Sequence, residues 1–122
     1  MPARIVVVHD DQEFTDQLAV ALRSAGHDVA TFPDPLASWG ALEAARLIEV
    51  LVTGMEYAPG KSNGLALARM ARSKRPQIKV PFTALPEYAA HAADLGEFLA
   101  MPVSVEVTIE AVTRLLDGQN KI

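Results

Sequence analysis

Apolar positions along the chain switch repeatedly between two spacings. Ile5-Val6-Val7-Val8 is a continuous apolar run rich in β-branched residues, the pattern of a strand buried on both faces of a sheet. Directly after it, Phe14, Leu18, Ala21, Leu22 and Ala25 recur at the spacing of one helix face. Asp10 with Glu13 resembles a capping box that starts this helix, and Gly26 supplies its stop. His27 to Phe32 reads as a second strand. Asp34-Pro35 then gives a cap and a first-turn proline for a helix carrying Leu36, Trp39 and Leu42 and fading near Arg46.

The alternation continues to the end of the chain. Ile48 to Thr53 is the third strand, and Gly54 to Asn63 a loop leading to a helix with Leu67, Met70 and Ala71 that Pro76 ends. Ile78 to Thr83 reads as a fourth strand, and Pro81 within it argues for a place near the sheet edge or at a bulge. Pro86 to Asp94 is a short alanine-rich helix and Gly96 to Ala100 a fifth strand. Ser104 caps a last helix whose Val105, Ile109, Val112 and Leu116 share one face. Five strands alternating with five helices imply an α/β fold, a three-layer doubly wound domain with a five-stranded parallel sheet and right-handed crossovers.

Composition narrows the function classes. A chain of 122 residues, half of them hydrophobic, suits one domain with one core, so residues 1–122 read as a single stand-alone domain with no output domain. With no cysteine, a disulfide framework, thiol catalysis and thiolate metal sites are excluded. Only four apolar residues follow Met1-Pro2-Ala3-Arg4, too few for a signal peptide, and no uncharged run approaches the roughly eighteen residues that span a bilayer. The expectation is therefore a cytoplasmic protein with no membrane partner. A net charge of −4 disfavours nucleic acid. Five of the eleven basic residues do cluster between Arg69 and Lys79, but without interleaved aromatics they read as a solvated helix end.

In an open parallel sheet, ligands bind outside the carboxyl ends of the strands. Here those ends carry His9-Asp10, Thr53-Gly54, Thr83 and Met101-Pro102. Across Arg4 to about Leu116, these landmarks resemble the receiver domain of two-component response regulators, the CheY-like branch of the flavodoxin-like fold. Val7-Val8-His9-Asp10 looks like the family's hydrophobic-hydrophobic-Asp-Asp start, and Leu51-Val52-Thr53-Gly54 like the strand that ends in the phosphoacceptor aspartate. Thr83 matches the switch threonine, Phe98 stands at the switch-aromatic position, and Met101-Pro102 occupies the family's Lys-Pro, where members have a cis peptide.

The resemblance implies an acidic pair holding a divalent ion, an aspartate taking a phosphoryl group, and lysine and threonine gripping its oxygens. This chain departs from that chemistry at three of the five positions. Gly54 has no carboxylate to form an acyl phosphate. His9 replaces the first acid, so Asp10 is the one residual candidate for a metal and magnesium is expected to bind weakly or not at all. Met101 brings a thioether where an ammonium would offset phosphoryl charge. The segment from Thr83 to Met101 is also several residues shorter than the family's, so the fourth helix should be stunted.

Each landmark also has a plain structural reading: Asp10 as an N-cap, His9 bonded to backbone or water, Thr83 bonded to backbone, Phe98 as packing. Glu56 lies close enough in sequence to swing toward position 54. Gly54 to Ser62 looks like a phosphate loop, yet it is one residue too long, has Met55 where its first glycine belongs, and loses a backbone donor at Pro59. With no other enzyme signature, the expectation is a non-enzymatic, phosphorylation-independent receiver acting by protein–protein interaction. Its partner would be a histidine kinase, another regulator or a second copy through the face from the fourth to the fifth helix. The alternatives are a small-ligand sensor using the vacated pocket and a phosphotransfer protein using an acid such as Asp11 or Glu56.

Overall fold

The computed structural model describes residues 4–44, 47–55, 63–92 and 95–119. The elements run β1 (Arg4–Val8), α1 (Gln12–Ser24), β2 (Asp28–Phe32), α2 (Pro35–Ala44), β3 (Val50–Thr53), α3 (Gly64–Lys74), β4 (Phe82–Ala84), a 3-10 turn (Pro86–Tyr88), α4 (Ala89–Ala92), β5 (Phe98–Ala100) and α5 (Val105–Gln119). All strand pairs are parallel, in the order β2-β1-β3-β4-β5. The expected three-layer, doubly wound α/β fold is therefore the one observed.

Burial on both faces explains the apolar runs. Along β1 and β3, Val6, Val8 and Leu51 face one core with Leu42, Leu67, Ala71 and Phe82. Ile5, Val7, Val50 and Val52 face the opposite core with Leu18, Leu22 and Val112. Helices α2 to α4 thus cover one face and α1 with α5 the other. Gly26 adopts φ +94° where α1 ends, a backbone state that costs glycine little. At the start of α3, a Cβ on Gly64 would lie 1.6 Å from the Gly54 carbonyl oxygen, so this helix can sit on the end of β3 only because that residue has no side chain. Among the described residues, no helix is long and apolar enough to cross a membrane.

Three local expectations are corrected. Asp34 does cap α2, accepting from the Ala37 N–H at 2.9 Å, but Leu36 is 70% exposed while Ser38 is buried. The Ser38 hydroxyl donates to the Pro35 carbonyl, which lets a polar residue take the inward position. The fourth strand is shorter than expected and interior, lying between β3 and β5. Lys79 keeps an isolated bridge to Val50, and the Pro81 carbonyl accepts from the Thr53 N–H, but Pro81 has no N–H to return and the ladder breaks there. The basic cluster is only partly solvated. Arg72 is half-buried, and its guanidinium donates to the Ile78 and Leu95 carbonyls, fastening the end of α3 to the segment before β5.

The shortened fourth helix appears as the 3-10 turn and the four residues of α4. Ser104 caps α5 as expected, accepting from the Val107 N–H at 3.1 Å. Arg46, the expected end of α2, lies outside the described residues, as do residues 93–94 and most of the loop before Asn63.

Core position should decide the cost of truncation. Leu51→Ala, at a fully buried site, is expected to destabilise by about 2–5 kcal/mol. Leu36→Ala should stay within about 0.5 kcal/mol. Urea unfolding of both variants checks the contrast, and a large loss at Leu36 would contradict its solvent-facing place.

Candidate functional site at the carboxyl ends of the strands

Strand register gathers the sequence-predicted residues. Val8 pairs with Thr53, so His9-Asp10 and Gly54 leave adjacent strands at one level, and the Gly54 N–H donates to the Val8 carbonyl at 3.3 Å. Phe82 pairs with Thr53, which sets Thr83 level with Gly54. Ala84 pairs with Ala100, and the Met101 N–H donates to the Ala84 carbonyl at 2.8 Å. The Met101-Pro102 peptide is cis, as the family resemblance implied. His9, Asp10, Gly54, Thr83 and Met101 therefore share one end of the sheet. Phe98 enters β5 three residues before Met101, half-buried against the core beneath α2 to α4.

His9 is 5% exposed, with its ring centroid 5.0 Å from that of Phe14. Its Nδ1 accepts the Asp11 N–H at 3.1 Å and also faces the Asp10 carboxylate at 3.6 Å. A nitrogen that accepts a backbone N–H has its lone pair engaged, so the close approach to Asp10 is not an ion pair. Burial lowers the His9 pKa below 6.5, outweighing the opposite pull of Asp10 and Asp11. The imidazole is neutral, with its proton on Nε2.

Asp10 does not cap α1. Its side chain is 61% exposed, while Asp11 takes the cap, its Oδ1 accepting from the Phe14 N–H at 3.1 Å. The Asp10–Glu13 spacing pointed to the wrong one of two adjacent aspartates, since the turn in which the Asp11 N–H donates to His9 Nδ1 leaves Asp11 at the cap. Thr15 completes the helix start by donating its hydroxyl to the Asp11 carbonyl. Among the described residues, no three histidine, aspartate or glutamate side chains gather as a metal site.

Gly54 is buried, and its carbonyl accepts from the Thr53 hydroxyl at 2.9 Å. Thr83 is 1% exposed, and its hydroxyl has no hydrogen-bond partner among the described residues. The expectation that this hydroxyl bonds to backbone is not met. Residues 56–62, which include Glu56 and all but the first two residues of the phosphate-loop look-alike Gly54 to Ser62, lie outside the described residues. Asn63 caps α3, its Oδ1 accepting from the Ala66 N–H at 2.7 Å.

A groove beside this site was not foreseen. About 580 Å³ in volume, it runs between α1 and the start of α5. Its two walls lie some ninety residues apart in sequence, so no local pattern could reveal it.

The fold has many relatives among solved structures. A CheY-like response regulator receiver domain from Methanospirillum hungatei JF-1 superposes with TM-score 0.84 at 19% identity, covering 98% of this chain and 97% of that one. A response regulator receiver protein from Sinorhizobium medicae WSM419 gives 0.83 at 21%, covering 95% of each chain. A Thermotoga maritima response regulator in complex with Mg(2+)-BeF gives 0.79 at 20%, covering 93% of this chain and 98% of that one. No protein-family model matches the chain, and no curated protein does.

Neutral His9 has a pH signature. Its folded pKa lies below 6.5, so acidification through 6.5 protonates the unfolded chain first and stability falls as pH drops toward the folded value. Urea unfolding between about pH 5 and pH 8 is expected to show this loss. In His9→Gln the slope just below 6.5 should flatten; an unchanged slope would refute the assignment.

These neighbours share the order and layering of all five strands, and what this chain has in common with them is the receiver-domain fold.

Proposed function

We propose that this chain is an atypical receiver of two-component signal transduction that works by binding a protein, with no phosphoryl group carried at position 54. The observation supporting it most is Gly54 itself, level with Thr83 at the end of β3 in a receiver fold. An acyl phosphate needs a carboxylate nucleophile. Met101 adds no positive charge, and neutral His9 beside exposed Asp10 leaves few hard anionic oxygens for a divalent ion. The Thermotoga relative was solved with Mg(2+)-BeF; weak or absent magnesium binding is proposed for this chain.

No residue is assigned a catalytic role. A histidine kinase, another regulator or a second copy is the proposed partner. Without covalent modification, two-state behaviour would come from a partner's unequal affinity for two conformations.

A second reading, a small-ligand sensor, draws support from Thr83. Buried hydroxyls are nearly always hydrogen-bonded, and this one is not, so a ligand or ordered water would satisfy it. Thr83→Val separates the readings. If the hydroxyl stays unpartnered, replacing it with a methyl group should stabilise the fold by about 1–3 kcal/mol. A loss of stability would show that the hydroxyl has a partner, and a metabolite-dependent gain in stability that Thr83→Val abolishes would favour the sensor.

Phosphotransfer is tested directly. Incubation with acetyl phosphate and magnesium, followed by intact-mass measurement, is expected to show no gain of one phosphoryl group. Stable incorporation at Asp10, Asp11 or Glu56 would overturn the proposal.

A further inference from the structure

Helix α2 is built unlike the other long helices. Its outward positions are Leu36, Ala37, Gly40 and Glu43, with Trp39 and Ala41 half-buried at the sides. Leu36, Gly40 and Glu43 follow the spacing of one stripe, and Leu36 is 70% exposed. The other helices turn several charges outward: Glu13, Asp16 and Arg23 on α1, Arg69 and Lys74 on α3, and Glu106, Glu110, Arg114 and Asp117 on α5. A helix nearly without a polar face has the composition of one covered on both sides.

Two residues of the stripe weaken α2 as it stands. Gly40 lies in the middle of the helix, where glycine is the poorest residue after proline. Unlike Gly26 and Gly64, it has no reason within its own fold, because a Cβ there would meet nothing within 4 Å beyond its own helix. Glu43 stands in the last turn, at the negative end of the helix dipole, and α2 has no basic residue in that turn. Among the described residues, no ion pair holds it.

We infer that two copies of this chain pair through α2, the helices crossing antiparallel with their closest approach at Gly40. The inference rests on the protein-binding reading above and names the surface and its occupant. The distance between crossing helices is set by the side chains at the contact, so glycine there permits the closest approach. Glu43 lies three residues past the crossing, about 4.5 Å along the axis. Antiparallel pairing sets it level with Ala37 in the first turn of the other copy's helix. The dipole of that turn, which Asp34 already caps at the Ala37 N–H, still favours an acid more than a carboxyl end does. A two-fold axis makes each of these contacts twice.

Charge selects a second copy over other occupants. The chain carries a net charge of −4, and the exposed faces of α1 and α5 each hold more acids than bases, so two copies meet with least repulsion on α2. An anionic membrane would need cations along the stripe, which has none. The surface also differs from the expected face between α4 and α5, where Arg114 is already held by Glu97. An apolar patch of ordinary size, about 300–600 Å², falls short of the roughly 800 Å² per partner of a stable interface. The pairing is therefore weak and concentration-dependent.

Sedimentation equilibrium of the whole chain from about 10 μM to about 1 mM is expected to show a monomer–dimer equilibrium with half-association toward the upper end of that range. In the isotopically labelled chain, the amide resonances of Leu36, Ala37, Gly40 and Glu43 should shift as concentration rises. Gly40→Gln and Glu43→Lys should each weaken association by about fivefold or more, yet raise the urea midpoint of the dilute monomer, because each suits an isolated helix better. Those opposite signs exclude a folding defect as the cause. Val107→Gln, at an exposed site on α5, should leave association unchanged. A monomer throughout the range, association unaffected by both α2 variants, shifts centred elsewhere or loss of association in Val107→Gln would overturn the inference. A monomeric chain without phosphoryl gain sinks the dimer alone, whereas phosphoryl incorporation sinks the protein-binding reading whatever the association state.

Discussion

The pairing of β1 with β3 is the constraint on which the rest of the structure depends. Four residue pairs, from Ile5↔Val50 to Val8↔Thr53, join two strands that are buried on both faces. Since successive side chains point to opposite faces, a slip of β1 by one residue would send each of its side chains to the wrong core. Val6 and Val8 would then be aimed at α1 and α5 while Leu51 still faced α2 and α3. The same pairing puts His9 and Gly54 side by side, so the geometry of the strand-end site follows directly from the packing of the core.

What the sequence made legible was chiefly what depends on local pattern. The change of period from Ile5-Val6-Val7-Val8 to Phe14, Leu18 and Leu22 identified a buried strand and the helix lying over it. Gly26, Asp34-Pro35 and Ser104 marked helix ends because capping chemistry is carried by one or two neighbouring residues. Errors arose where a distant group decided the outcome. Leu36 has the spacing of a core residue, but the Ser38 hydroxyl satisfies itself on the Pro35 carbonyl and takes the inward place. Arg72 belongs to a run of basic residues that resembles a solvated helix end, yet its long side chain reaches the Leu95 carbonyl across the fold.

The candidate site divides along the same line. Side-chain chemistry at Gly54 and Met101 could be read one residue at a time. The state of His9 could not, because it follows from burial and from the Asp11 N–H held by Nδ1. Nor could the solitary hydroxyl of Thr83, which depends on every neighbour that fails to reach it. The two walls of the α1–α5 groove begin alike: Asp11 caps α1 while Thr15 donates back to it, and Ser104 caps α5 while Thr108 does the same. Matching starts set two helix openings side by side at one end of the molecule.

Pro81 gives the sheet a seam. Between β3 and β4 the register holds Thr53↔Phe82 and the Val50–Lys79 bridge, and the Lys79, Leu51 and Thr53 N–H groups donate to the Glu49, Lys79 and Pro81 carbonyls, Pro81 supplying an acceptor but no donor. Beyond the seam, β4, α4 and β5 hang together, with Arg72 gripping their connection from one side and Arg114 holding Glu97 from the other. Where Pro81 cannot donate, the two arginines supply bonds that the strand itself does not, tying the approach to β5 to a helix on each face of the sheet.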